Sequence, residues 1–199
     1  MKTMIVDGGT PLEAFAIGRV TVGFDGGKTG QADFAKYWDQ QNKILRSATG
    51  ELAWDYGRET ITVQSPKTQA VIGKTAGQTF ALPGVAVRFL TPFVSTIFTS
   101  LDDLPLAQSR HILITALARD KQTGTRYSAD GTRLESTGTA PLLLEPVQAA
   151  LKFAGAKPKS VTPCDPYGVP MSGKAVPIAA DGRFTIDGTY RAYYYEVKR

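Results

Sequence analysis

The sequence predicts an all-β fold, an antiparallel β-sandwich (jelly-roll-like or Ig-like) with one short helix. Three observations lead there. Short runs alternate apolar and polar residues, as where Leu52, Trp54 and Tyr56 are set against Glu51, Ala53 and Asp55, the period-two signal of a half-buried strand. Twenty Gly and twelve Pro are spread along 199 residues, which suits many turns rather than long helices. The stretch Arg46 to Gly73 reads as three consecutive strands joined by two tight turns, a natural nucleus for such a domain. Residues 1–13 form a lead-in segment and residues 14–199 a single sandwich domain, a length that can enclose one large core.

Taken in order, the lead-in holds an Asp7-Gly8-Gly9 turn. Ala14 to Phe24 is expected as the first strand, with Ile17, Val20, Val22 and Phe24 apolar and Gly18 marking a bulge. Gln31 to Asp39 is the expected helix, because Phe34, Tyr37 and Trp38 fall at i, i+3 and i+4. In the central stretch, Asp55-Tyr56-Gly57-Arg58 supplies a turn with Gly57 free to take positive φ, and Ser65-Pro66-Lys67 supplies the next. Trp54, between Leu52 and Tyr56, reads as core.

Further strands follow at short intervals. Thr79 to Leu82 runs into a Pro83-Gly84 turn, and Val85, Val87 and Phe89 share a face. Phe93 to Leu101 is apolar on both faces, as a central strand would be. Arg110 to Arg119 is expected as the longest strand. Lys121 to Gly138 is a polar excursion holding one short hairpin. Leu142 to Leu144 and Ala149 to Phe153 are strands, Val161 to Pro177 is irregular, and Phe184 to Asp187 and Tyr193 to Val197 close the domain.

Composition narrows the function classes. The formal charge is +5, but Lys and Arg are scattered singly, which speaks for a mixed-charge surface and against a nucleic-acid partner. No apolar run approaches the roughly 20 residues of a membrane span, so no membrane partner is expected. The segment Met1 to Asp7 has too short an apolar run for a signal peptide. Two readings fit: a cytoplasmic protein, or a module of a longer exported chain. A single cysteine, Cys164, rules out an internal disulfide and leaves the compartment open.

Catalytic signals are sparse. Glycoside hydrolysis needs two facing carboxyl groups; Glu51, Asp55 and Glu59 are close in sequence, but they read as solvated strand and turn residues. The only histidine, His111, lies opposite the Ile112/Ile114 face and lacks any nucleophile signature such as GxSxG nearby. Cys164 reads as a small buried residue or an inert loop thiol. One Cys and one His do not make a zinc site. No cofactor is expected, although structural calcium could use the oxygens of Asp25-Gly26-Gly27 or Asp102-Asp103.

The aromatics carry more. A sugar ring offers a flat patch of C–H bonds that an aromatic face covers while neighbouring polar groups bond the hydroxyls. Trp38, followed by Asp39-Gln40-Gln41-Asn42, combines an aromatic with carboxylate and amide groups. The candidate ligand-binding residues are Trp38, Tyr37, Asp39, Gln41, Tyr127, Tyr167 and Tyr194. Within Tyr193-Tyr194-Tyr195, alternation turns Tyr194 away from its neighbours.

The run from Thr49 to Arg58 (TGELAWDYGR), with Ile61-Thr62-Val63, Ser65-Pro66-Lys67-Thr68-Gln69-Ala70 and Ile72-Gly73, resembles the β-sandwich module that follows the TIM-barrel catalytic domain in large predicted bacterial glycoside hydrolases. Thr99-Ser100-Leu101-Asp102, Pro105 to Ser109, Ile112 to Ala116 and Gly138 to Glu145 are similar to the same module. The similarity spans roughly residues 14 to 195. It implies that the catalytic carboxylates lie in a separate barrel, since this chain lacks the length and βα alternation of a barrel of about 250 residues. The expectation is therefore a non-catalytic, extracellular or periplasmic module that binds a polysaccharide or oligosaccharide, its partner domain being the barrel. Three rivals stand beside it: a spacer that braces the barrel, a glycan-cleaving enzyme in its own right, and a cytoplasmic β-domain that binds a protein.

Overall fold

Residues 44–74 fold as a run of antiparallel hairpins because their turns are chemically fixed. Arg58 N–H donates to Asp55 Oδ1 (2.8 Å), and the Ser65 hydroxyl donates to the Thr68 carbonyl (2.8 Å). A computed structural model describes residues 11–21, 23–24, 33 and 35–199. In chain order its strands are β1 (Trp38–Asp39), β2 (Ile44–Arg46), β3 (Leu52–Asp55), β4 (Thr60–Gln64), β5 (Thr68–Lys74), β6 (Thr79–Ala81), β7 (Val85–Phe89), β8 (Phe93–Ser100) and β9 (His111–Leu117). They continue with β10 (Asp120–Thr123), β11 (Arg126–Tyr127), β12 (Leu134–Ser136), β13 (Thr139–Leu144), β14 (Ala149–Phe153), β15 (Ser160–Cys164), β16 (Phe184–Ile186) and β17 (Tyr194–Lys198).

The expected all-β sandwich is what these strands build. One sheet has nine strands in the order β1-β2-β3-β4-β5-β8-β9-β17-β15, and a second has four in the order β16-β14-β7-β6. Val71, Val94, Phe98, Ile112, Ile114, Tyr195 and Val197 of the large sheet meet Val85, Val87, Phe89, Leu151, Phe153, Phe184 and Ile186 of the small one. Phe98 and Phe153 pack edge to face, centroids 6.0 Å apart at 89°, and Phe153 stacks on Phe184 at 6.1 Å. Each such ring, fully buried, stabilises the fold by roughly 1.5–3 kcal/mol. Gln69, buried in β5, bridges the sheets: its Oε1 accepts the Gly84 N–H at 2.8 Å.

Strands β1 to β4 contribute nothing to this core. They extend the large sheet beyond the small one as a wing. The polar excursion after β9 holds the one short hairpin expected, β11 with β12, but it also pairs β10 with β13, which takes Leu142 to Leu144 out of the two main sheets. Its root is held by a two-pronged ion pair, Arg119 Nε to Glu145 Oε2 (2.8 Å) and Arg119 Nη2 to Glu145 Oε1 (2.9 Å).

Several expectations are corrected. The first strand is replaced by a short helix, α1 (Ala14–Ile17), closed by the Gly18 N–H on the Ala14 carbonyl (3.1 Å). Pro11 presets the backbone and Leu, Glu and Ala favour the helix, while Ile17 is buried and its carbonyl accepts the Ala48 N–H (2.6 Å). Phe24 is exposed. The expected helix at Gln31 to Asp39 is one 3₁₀ turn, Ala35–Tyr37. Asp39 bonds the Asn42 N–H (2.9 Å) and Nδ2 (2.7 Å), and this turn chemistry draws Trp38 into a hairpin instead. Positive φ falls on Glu59 (57°), not Gly57. The irregular stretch from Val161 opens with an edge strand, β15, and β8, with eight residues, is longer than β9, with seven. The lead-in turn, Val22, Phe34 and Asp25-Gly26-Gly27 lie outside the described residues.

Candidate functional site

Residues directly opposite in an antiparallel ladder share a face. The pairs Trp38–Leu45, Leu45–Trp54, Trp54–Ile61 and Ile61–Ile72 therefore form one row across the wing. Ile72 lies on the side opposite core residue Val71, so the row looks away from the second sheet; Trp54 and Ile61 are exposed on it, while Leu45, between Trp38 and Trp54 in the ladder, is buried. Trp54, expected in the core, is 41% exposed for this reason: its alternation is real, but its apolar side looks away from the second sheet.

This row opens into a groove of about 360 Å³ lined by Trp54, Tyr56, Glu59, Ile61, Ile72, Gly73 and Phe93. Trp54 and Tyr56 meet edge to face, centroids 5.9 Å apart at 65°. The Trp38 Nε1–H donates to the Tyr56 hydroxyl (3.1 Å), which anchors the Tyr56 ring. Glu59 pairs with Lys74 at 2.7 Å on the rim. Gly73 has φ +120°, and a Cβ there would meet the Glu59 carbonyl oxygen at 2.1 Å. Only glycine lets the two backbones close up and shape the end of the groove.

The sequence-chosen residues fall in three places. Tyr37, Trp38, Asp39 and Gln41 lie on the β1 edge and its turn, next to the groove. There the Trp38 indole N–H and the Asp39 carboxylate are already engaged, and the Lys36 ammonium sits 4.8 Å over the Tyr37 ring. Hydrogen bonds from Asn42 hold the Asp39 carboxyl below its ordinary range. Tyr127 lies on the excursion hairpin and is exposed. Tyr167 is 91% exposed in the turn after β15, and Tyr194 packs against Tyr193 at 4.6 Å on neighbouring β17. Eight inter-strand spacings separate β1 from β15, on the order of 38 Å, so Trp38 and Tyr167 do not share a site.

None of the groove's lining residues, Trp54 and Tyr56 included, is among the candidate ligand-binding residues read from the sequence. One signal was available: Ala70-Val71-Ile72 is apolar without alternation, which marks a strand with two apolar faces.

The ionisable groups are committed elsewhere. Burial pushes the Asp102 carboxyl up, but the Arg110 N–H and the Ser100 and Ser109 hydroxyls outweigh it and leave the group well below its ordinary value. Asp103 pairs with Lys67 at 2.9 Å, so protein donors organise the Asp102-Asp103 turn. Ser128 and Thr132 hold Asp130 at about 2. His111 Nε2 lies 2.7 Å from Glu196 Oε1. Cys164 is buried in β15 and burial raises its thiol pKa, the environment of an inert thiol. Among the described residues no three His, Cys, Asp or Glu cluster as metal ligands, and no helix is long and apolar enough to cross a membrane.

The fold and the groove together define a β-sandwich with an aromatic-lined depression on the outer face of its larger sheet. Comparison with protein-family models, curated proteins and solved structures gave no match for the chain.

Proposed function

We propose that this chain is a non-catalytic, carbohydrate-binding accessory module of a polysaccharide-degrading enzyme, and that glycan lies in the Trp54–Tyr56–Phe93 groove. The observation that carries the reading is the partial exposure of Trp54, 41%, beside Tyr56 and Phe93 in one concave patch. Aromatic surface left open in this way marks a binding face, and the C–H faces of a sugar fit it. Glu59 and Lys74 at the rim supply partners for hydroxyls. The resemblance to the sandwich that follows a glycoside hydrolase barrel supports the same reading. It brings a barrel domain as partner and an extracellular or periplasmic setting within a longer bacterial protein.

A second reading rests on the same patch. Its lining includes the aliphatic Ile61 and Ile72, with Leu52 exposed nearby, and its two closest rings stand at 65° rather than in one plane. That is also how a surface bracing a catalytic barrel would look. Affinity electrophoresis against neutral and acidic polysaccharides separates the two. Retardation that Trp54→Ala abolishes, with circular dichroism unchanged, supports glycan binding. Free migration through every polysaccharide favours the bracing surface.

A further inference from the structure

Lys and Arg are scattered in the sequence, yet the fold gathers four of them. Arg110, Lys157, Lys159 and Arg199 line one pocket of about 440 Å³ with Ala107, Gln108, Ser109 and Ala156. That volume falls in the range of about 300–1,000 Å³ typical of ligand pockets. No Asp or Glu side chain lines it, and none of the four cations makes an ion pair with one among the described residues, while Lys157 Nζ donates to the Ala180 carbonyl at 2.6 Å.

Arg199 is the informative member. Its Nη1 donates to the Ala107 carbonyl at 2.9 Å, and its guanidinium lies 5.1 Å from the Phe153 ring centre. Its Nε and Nη2 are buried and have no hydrogen-bond partner. A buried guanidinium with idle donors is costly unless an acceptor meets it. Asp102, whose charge acts on it, already accepts from Ser100 (2.9 Å) and from the Arg110 N–H (2.7 Å). Guanidinium and ammonium side chains lining one concavity are the chemistry that recognises oxoanions.

We propose that this pocket is an oxoanion site for sulfate, free or as the ester of an acidic polysaccharide. It is distinct from the aromatic groove. The groove lies where β8 begins at Phe93, and the pocket lies beyond its far end, about 24 Å along the strand. The proposal stands without the carbohydrate reading.

The test is a ¹⁵N NMR titration of the whole chain with sodium sulfate, set against sodium chloride at equal ionic strength. The Arg199 Nε–H and the amides of Arg110 and Lys159 should shift saturably with sulfate alone. Arg110→Gln/Lys159→Gln, at two exposed positions, should weaken binding about tenfold for each cation removed. Drift that never saturates, or an unchanged affinity in the double variant, would overturn the proposal. A sulfated oligosaccharide and its unsulfated parent form the second arm. Shifts from the sulfated chain alone support the ester as ligand, and equal shifts from both refute an anion site. Trp54 resonances report on the groove separately, so one reading can fail without the other.

Discussion

Gln69→Leu tests how the two sheets are held together. Gln69 is 2% exposed, and its Oε1 is the acceptor for the Gly84 N–H at 2.8 Å. Gly84 is itself buried, and a Cβ added there would lie 2.9 Å from Leu106, so the turn has little room to move its N–H towards water. Leucine fills a similar volume but accepts no hydrogen bond. The stranded N–H should cost about 1–3 kcal/mol. For a domain of this size that lowers Tm by about 2–12 °C. The matched control is Gln64→Leu, because Gln64 pairs directly with Gln69 in the ladder yet is exposed, and it should change stability by less than about 0.5 kcal/mol. Urea unfolding of both variants, followed by tryptophan fluorescence, gives the two ΔΔG values. Equal values, or a more stable Gln69→Leu, would refute the claim that this bond joins the sheets.

Other expectations follow from the same geometry. Phe98→Ala removes a fully buried ring packed on Phe153 and should cost about 3–5 kcal/mol in urea unfolding; a loss below 1 kcal/mol would show that this ring is not central to the core. Gly73→Ala places a side chain at φ +120° and 2.1 Å from the Glu59 carbonyl oxygen; strain of at least about 1–3 kcal/mol, with shifted Tyr56 and Phe93 NMR signals, is the expected result. Burial pushes the Glu196 carboxyl up, but its bonds to Lys198 and His111 outweigh this and leave the group below the ordinary glutamate range. A depressed carboxylate stabilises the fold above its unfolded pKa, and that contribution is lost as pH falls through the folded value. Stability should therefore decline below about pH 4.5, and Glu196→Gln should flatten that decline in acid titrations of unfolding; an unaltered slope would remove Glu196 from the account.

Much of the fold is legible in the sequence because alternation and turn chemistry agree. Val85, Val87 and Phe89 announce a one-sided strand, Pro83-Gly84 announces its turn, and both are present. The failures have specific causes. Ile17, Val20, Val22 and Phe24 alternate well enough for a strand, but the residues just before them are strong helix formers and no ladder partner is near in sequence. Phe34, Tyr37 and Trp38 fit a helical period that the Asp39–Asn42 turn overrides.

Site residues were harder to read for a different reason. Alternation says that Leu52, Trp54 and Tyr56 share a face, but not which face meets the second sheet. That depends on β6, β7, β14 and β16, which stop short of the wing, a long-range fact absent from the local pattern. The basic pocket was hidden in the same way, since Arg110, Lys157 and Arg199 are far apart in the chain and the neighbouring strands β9, β17 and β15 bring them together.

The central claim is that the outer face of the large sheet holds glycan at Trp54. Its most direct test is affinity electrophoresis of the wild type, Trp54→Ala and Tyr167→Ala through a panel of polysaccharides. At least one polysaccharide should retard the wild type and Tyr167→Ala, and Trp54→Ala should run freely while keeping its β-sheet circular dichroism. Retardation that survives Trp54→Ala, or none in any lane, would contradict the account.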